Sequence, residues 1–333
     1  MNRRVVHKIL ATLGLISLCF VIAPTATFPW GDATHAYISD RLNARMGYKN
    51  LNEMWGSLSP DIFNFIFNPS LCPAWLADQT HGRTTESFLK VWNAADSRFE
   101  DALAFGFVSH NEAWGADFTA HISGITFGHG VGYINARAMV LLNTPINPAE
   151  PHDPTLNPTF GEIFGSIEVS FDQQIIVAHV ITEYAIDIML KNNVDPLIGR
   201  KVTIAALTRN KKFPGLLVKA FAEEYATTCL GGNTSTAAYV ISSAEEEYRN
   251  GMFSYGQAIS RPEPVAVQFI AEQIVALAPG FLSGSLPIPD ADAVELVKAA
   301  IFDSMAVCDD FLIEIDATIQ FVDQNLTAHG IAY

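Results

Sequence analysis

The chain has 333 residues, of which 49% are hydrophobic, and its 20 basic residues stand against 35 acidic ones for a formal net charge of −15. This apolar content is enough to build a sizeable core, which excludes an intrinsically disordered chain. The negative charge disfavours binding to nucleic acid or to an anionic membrane, unless the surface carries a locally positive site.

The N-terminal segment has the pattern of an export signal. Arg3, Arg4 and Lys8 precede the apolar run 9–23, which small residues follow at 24–27. A basic start, a short apolar run and small residues are typical of a signal peptide, and the run is shorter than the roughly 20 residues of a transmembrane helix. We therefore expect residues 1–29 to be a signal peptide with a short pro-segment, and the protein to be secreted or periplasmic.

The region after the signal opens with Trp30, and His35 follows five residues later. Residues 36–42 have the pattern of an amphipathic helix. A proline then marks residues 57–63 as a loop with Asp61 at the turn, where an aspartate serves either as a helix cap or as a ligand.

The next histidine, His81, lies in a polar stretch before the apolar positions of residues 84–95. Their spacing predicts a helix over 84–95. We therefore expect His81 at the start of that helix.

Residues 108–124 contain three side chains of the kind that bind metals. If this stretch is one helix, His110, Asp117 and His121 fall within roughly 40° of one another on a single stripe. The alternative is a set of core histidines whose ring nitrogens are satisfied by carboxylates.

A second apolar stretch places His179 and Glu183 one helical turn apart, a spacing that lets both side chains bind one ion. Such a motif is common by chance. Both stretches are otherwise apolar, and an inward-pointing charge is costly unless it is paired or bound to metal. The two helices are therefore predicted to face one metal site, whereas Asp187 is expected to make either a structural contact to a helix or a hydrogen bond that supports a ligand.

The patterns of the remaining segments predict helices and loops. Residues 142–160 are rich in proline and predict a surface loop, and the glycine-rich run 124–132 lacks the lysine of a phosphate-binding loop. Few segments alternate in the manner of a strand, so the predicted fold class is all-α, a compact multi-helix bundle. The predicted later helices are 202–207, 214–228, 234–248, 264–277 and 290–326.

Three cysteines follow the N-terminal segment: Cys72, Cys229 and Cys308. An odd number allows at most one internal disulfide and leaves one thiol over. The cysteines therefore do not define a disulfide-built scaffold.

Taken in order, these residues resemble the zinc-dependent phospholipase C family, which is related to the zinc-dependent single-strand nucleases and to the catalytic domain of glycosylphosphatidylinositol-specific phospholipase D. The resemblance covers Trp30 to about residue 190 and implies a domain of residues 30–199 followed by a helical extension of residues 200–333 packed on it. It also implies a cluster of about three Zn²⁺ ions. The implied ligands are Trp30 (through its amine and carbonyl), His35, Asp61, His81, His110, Asp117, His121, His179 and Glu183.

One departure from the family concerns Asp117, which lies two helical turns after His110 where the family commonly has one. Glu112 is available as a substitute, so either Asp117 or Glu112 is the central acidic ligand. The resemblance leaves His129, His152 and His329 without a role.

The function that the resemblance implies is hydrolysis of phosphodiesters by a zinc-activated hydroxide, with Asp61 as bridging ligand and proton acceptor. The first reading is a secreted phospholipase C that acts on phospholipid headgroups and makes transient contact with a membrane surface. The second is a nuclease or other phosphodiesterase, because the spacing of Trp30 and His35 resembles that of the nucleases. The third is a zinc-stabilised surface-binding module without catalysis.

Overall fold

The computed structural model describes residues 30–43, 46–66, 68–82, 84–146, 157–281 and 288–333. These residues form helices joined by turns, and the part of the chain that is described contains no β-strand. The all-α prediction is confirmed. The predicted signal peptide and His152 lie outside the described residues.

The α-helices in chain order are α1 (Asp32–Asn43), α2 (Tyr48–Leu58), α3 (Pro73–His81), α4 (Leu89–Ala94), α5 (Arg98–His110), α6 (Tyr133–Leu142), α7 (Phe160–Ser166), α8 (Phe171–Asn193), α9 (Ile198–Thr208), α10 (Phe213–Cys229), α11 (Thr234–Ile259), α12 (Glu263–Phe281), α13 (Asp290–Val307) and α14 (Phe311–Ala328).

Helix α8 is the centre of the bundle. It begins at a capping box in which Ser170 and Gln173 satisfy each other's backbone N–H groups. Its second half is buried on nearly all sides, and α1, α6, α12 and α13 pack around it. An apolar helix of this kind is stable only when other helices surround it, which explains why the bundle forms here.

The helices after residue 200 pack on the helices before it. Helix α9 contacts α1 and α2, α13 contacts α8, and α14 contacts α1. One cluster of buried apolar residues runs through both parts of the chain. None of the described helices is long and apolar enough to span a membrane.

Three predicted helix boundaries are wrong. The helix predicted over 84–95 begins only at Leu89, and the one predicted over 234–248 continues to Ile259. The helix predicted over 290–326 is broken at residues 308–310, where the Asp310 carboxylate instead accepts hydrogen bonds from Tyr133 and Arg137 of α6. A tertiary contact of this kind overrides local helix propensity.

Candidate metal centre

Two glycines let α2 and α5 approach closely, and this packing builds one wall of the site. A Cβ atom on Gly56 would lie 2.1 Å from the Leu103 carbonyl oxygen, and one on Gly106 would lie 1.9 Å from that of Glu53. Only glycine fits at such a distance. The close approach places the Ser57 carbonyl oxygen 2.7 Å from Nδ1 of His110, which is the last residue of α5.

Asn111 ends α5 directly after His110. Its side-chain oxygen accepts hydrogen bonds from the backbone N–H groups of Ala113 (2.8 Å), Trp114 (2.9 Å) and Gly115 (3.2 Å). A side chain that takes up these donors replaces the helix with a turn. The chain then returns through a π-helical turn, Phe118–Ile122.

The continuous helix predicted over 108–124 is therefore wrong. His110, Asp117 and His121 do not share a helical stripe, because the turn at Asn111 separates His110 from the other two. They come together because the chain folds back on itself. The glycine-rich run 124–132 is a loop, as predicted.

His81 also differs from expectation, since it ends α3 and does not begin the next helix. Gly82 follows in the left-handed conformation with φ 47° and donates its N–H to the Asp78 carbonyl at 2.8 Å, which closes the helix. Nδ1 of His81 lies 3.0 Å from the Ala77 carbonyl oxygen, so Nδ1–H donates to it and Nε2 points into the site.

Helix α8 supplies His179 and Glu183 and also fixes α1. Asp187, one turn further along, accepts hydrogen bonds from the backbone N–H groups of Ala33 (2.9 Å) and Thr34 (2.8 Å) in the first turn of α1. A carboxylate at this position satisfies donors that have no partner within their own helix. Asp187 thereby makes a structural contact that positions His35, which is carried by α1.

The structure brings eight of the nine predicted ligands into three buried groups that can each hold a metal ion. Within each group the ligand atoms lie within 4.8 Å of one another. His110 belongs to two of the groups. The groups are His35 with His110 and Asp117, Asp61 with His81 and His110, and His121 with His179 and Glu183.

Asp117 and the imidazoles around it form the interior of the site. Oδ1 of Asp117 lies 3.0 Å from Nε2 of His35, and Oδ2 lies 2.9 Å from Nε2 of His110. Nε2 of His110 in turn lies 3.3 Å from Nε2 of His81. Oδ1 of Asp61 also lies 3.3 Å from this His81 atom. Lone pairs of three imidazole nitrogens and two carboxylates thus converge on one small volume.

The third group lies beside two further polar side chains. Oδ1 of Asn135 lies 2.8 Å from Nδ1 of His179, and Oε1 of Glu112 lies 3.1 Å from Nδ1 of His121. Both contacts leave the Nε2 atoms directed at the metal position, which is how carboxylates and amides orient histidine ligands. Asp117 belongs to one of the three groups, whereas Glu112 contacts Nδ1 of His121, the ring atom that faces away from the group.

Burial and neighbouring negative charges disfavour the ionised form of the carboxylates in the site. Burial raises the pKa of Asp117 well above its usual value, and the nearby His121 and His81 offset only part of this effect. Burial likewise raises the pKa of Glu183, and the charges of Asp61 and Asp117 raise it further. Burial lowers the pKa of His81, but the hydrogen bond and the charge of Asp61 outweigh it, so the pKa is raised overall.

A metal ion fits these residues better than protons do. Both side-chain oxygens of Asp117 and the Nε2 atoms of His35 and His121 are buried and make no hydrogen bond to any residue that the structure describes. His35 and Asp117 are close to each other, but their atoms are not aligned for a hydrogen bond. Leaving such groups unsatisfied costs about 1–3 kcal/mol each, and a bound cation removes this cost.

The ninth predicted ligand, Trp30, is anchored beside the site through its side chain. The indole N–H donates to Oγ1 of Thr119 at 3.0 Å, and the ring stacks on Tyr133 with ring centroids 5.4 Å apart. Trp30 is fully buried. Coordination of metal by its main-chain amine and carbonyl stays a prediction.

Helix α14 braces the segment that carries Asp117 and His121. Glu314 accepts hydrogen bonds from the backbone N–H groups of Ile125, Thr126 (2.7 Å) and Phe127 (3.2 Å). One turn later, Oγ1 of Thr318 lies 2.8 Å from Oγ1 of Thr119, the atom that also accepts the Trp30 indole N–H. The C-terminal helix therefore fixes the chain on both sides of His121.

Comparison of the chain with protein-family models, with curated proteins and with solved structures finds no match.

The side chains of the three groups can be predicted from the sequence, whereas most of the groups that orient them cannot. Glu112 enters the sequence analysis only as a substitute ligand, and Asn135 and the Ser57 carbonyl do not enter at all. A carbonyl or a single asparagine has no sequence pattern that marks it. Glu314 has the pattern of an ordinary helix residue, and only the fold shows that it is buried.

Proposed function

We propose that this protein is a secreted zinc-dependent phosphodiester hydrolase, and that it acts as a phospholipase C on phospholipid headgroups. The observation that carries the proposal is the convergence of His35, Asp61, His81, His110, Asp117, His121, His179 and Glu183 into three buried groups. These side chains come from segments spread between residues 35 and 183, and they occur in the order of the family that the sequence resembles. The resemblance and the geometry support the same eight residues independently.

The donor set favours zinc over the common hard cations. Five imidazoles and three carboxylates make up the three groups. Imidazole nitrogen suits zinc, whereas calcium and magnesium take oxygen ligands almost exclusively. Three carboxylates offset only half of the charge of three Zn²⁺ ions, so the loaded site is locally positive within an acidic protein.

Bound zinc would neutralise the charge that develops on the phosphorus oxygens and lower the pKa of water towards about 7. Asp61 accepts the proton that the attacking water gives up, because it is the carboxylate nearest to solvent. Its side chain is 10% exposed, compared with 6% for Glu183 and 0% for Asp117. The substrate therefore approaches from the side of Asp61 and His179, and Asp117 holds the inner ligands in place.

Phospholipid is favoured over nucleic acid by two observations. The net charge of −15 repels a long polyanion, whereas a neutral phospholipid surface carries no such penalty. A nuclease also needs aromatic faces on which bases stack. Trp55 and Trp114 are buried, and Trp75 and Trp92 pack against the core, so these four tryptophans do not form such a platform. The alternative hypothesis of a nuclease is supported by the spacing of Trp30 and His35, which resembles that of the nucleases.

The proposal is tested by offering the zinc-loaded protein two substrates in parallel, phosphatidylcholine vesicles and single-stranded DNA. We expect release of phosphocholine, and we expect Asp61→Asn to slow it by about 10²-fold or more, as loss of a proton acceptor does. Asp323→Asn is the matched control, because Asp323 is an exposed aspartate on α14. Release of nucleotides without phosphocholine would favour the nuclease, and neither product from a fully metallated protein would favour the non-catalytic binding module.

A further inference from the structure

Two cysteines that are far apart in sequence meet on the side of the bundle where α3 begins. Cys72 directly precedes α3, and Cys229 is the last residue of α10. Both side chains are half-buried. The thiols of Cys229 and Cys72 are in hydrogen-bonding contact, and burial together with this contact raises the pKa of the Cys229 thiol to about 12.

The surrounding contacts hold these two chain segments together independently of the thiols. The Tyr225 hydroxyl, one turn before Cys229, donates to the carbonyl of Leu71 at 2.6 Å. The Tyr225 ring stacks on Trp75 with ring centroids 5.7 Å apart and an interplanar angle of 12°. Cys72 lies between Leu71 and Trp75 in the chain, so the same tyrosine fixes the chain on both sides of it.

We propose that Cys72 and Cys229 form a disulfide bond in an oxidising compartment, and that Cys308 remains a thiol. Cys308 is fully buried and lies 4.0 Å from the Ser304 hydroxyl, within the packing of α13. It is therefore inaccessible to a partner thiol. The pairing resolves the odd number of cysteines, and it does not depend on the proposed catalytic activity.

The bond forms by exchange with an oxidised dithiol, such as glutathione disulfide or a disulfide oxidoreductase. The thiolate of one cysteine attacks the oxidant, forms a mixed disulfide and releases one oxidant thiol. The second cysteine then attacks the mixed disulfide and releases the other oxidant thiol. Two electrons and two protons pass from the protein to the oxidant, which leaves as two thiols.

The disulfide would tie the metal-binding part of the chain to the helical extension. Helix α3 carries His81 at its far end, and α10 belongs to residues 200–333. A link across this long stretch of chain restricts the unfolded state more than the folded one. We expect reduction to lower Tm by on the order of 5 °C.

The test is to equilibrate the folded protein without residues 1–29, and thus without Cys19, with a mixture of oxidised and reduced glutathione, then to block free thiols and map the peptides without reduction. We expect one cross-linked pair that contains Cys72 and Cys229, together with a blocked Cys308 thiol. Reductant should separate the pair and lower Tm.

Two variants complete the experiment. Cys308→Ser should keep the cross-link and its response to reductant, whereas Cys229→Ser should lose both and leave Cys72 free or bound to glutathione. The proposal is overturned if the folded wild-type protein keeps Cys72 and Cys229 as free thiols, carries only glutathione on them, or links either of them to Cys308.

Discussion

Replacing His110 with alanine is expected to weaken both groups that share it, to remove at least one metal ion and to slow hydrolysis strongly. His110 is the one residue shared by the group with Asp117 and the group with Asp61. Its loss also leaves both carboxylates facing each other across a buried space, where an unpaired charge is strongly unfavourable. We expect the zinc content to fall from about three ions to about two or fewer, and activity to fall by at least about 10²-fold.

The matched control is His129→Ala. His129 lies exposed in the loop after His121 and belongs to none of the three groups. The His129→Ala protein should retain both its zinc and its activity. Equal loss in the two variants would mean that His110 acts only in folding, and full zinc content in His110→Ala would remove it from the metal centre.

Replacing Glu314 with glutamine is expected to loosen the chain around His121, although Glu314 is distant from it in sequence. The carboxylate is fully buried and accepts three backbone N–H groups and the Thr126 hydroxyl. A glutamine side chain offers one acceptor oxygen and turns an NH₂ group towards the remaining donors. We expect a loss of about 2–4 kcal/mol in the free energy of unfolding, because charge-assisted hydrogen bonds are lost and donors stay buried without partners.

The same substitution should also weaken the metal group formed by His121, His179 and Glu183. Displaced supporting residues typically reduce metal affinity by about 10- to 100-fold. Glu295→Gln is the control, since the Glu295 side chain is 71% exposed on α13 and pairs with Lys298 at the surface. Denaturant unfolding and zinc titration against a chelator measure the two effects. A Glu314→Gln protein with the stability and zinc affinity of Glu295→Gln would show that α14 does not brace the site.

The side chains of the three groups that can hold a metal ion can be predicted from the sequence because histidine and acidic residues are rare in apolar segments. His179 and Glu183 are one turn apart on α8, as their spacing predicts. The helical stripe of His110, Asp117 and His121 is wrong because Asn111 takes up three backbone donors and ends the helix. Periodicity assumes a continuous helix, and a side chain that competes for the backbone breaks that assumption.

The role of the C-terminal helices depends on contacts that no local pattern encodes. Glu314 and Thr318 read as ordinary positions of a long helix, yet they contact residues almost 200 positions earlier in the chain. The break between α13 and α14 arises in the same way, because Asp310 turns towards Tyr133 and Arg137 of α6. Local sequence indicates where helices form, whereas the pairing of distant surfaces decides where they end and what they support.

The metal centre is tested most directly by elemental analysis of the purified protein after equilibration with zinc and removal of the excess. The three buried groups predict about three zinc ions per chain, and about two or fewer for His110→Ala measured alongside. A protein that retains one zinc ion or none, while it remains folded by circular dichroism, would contradict the account.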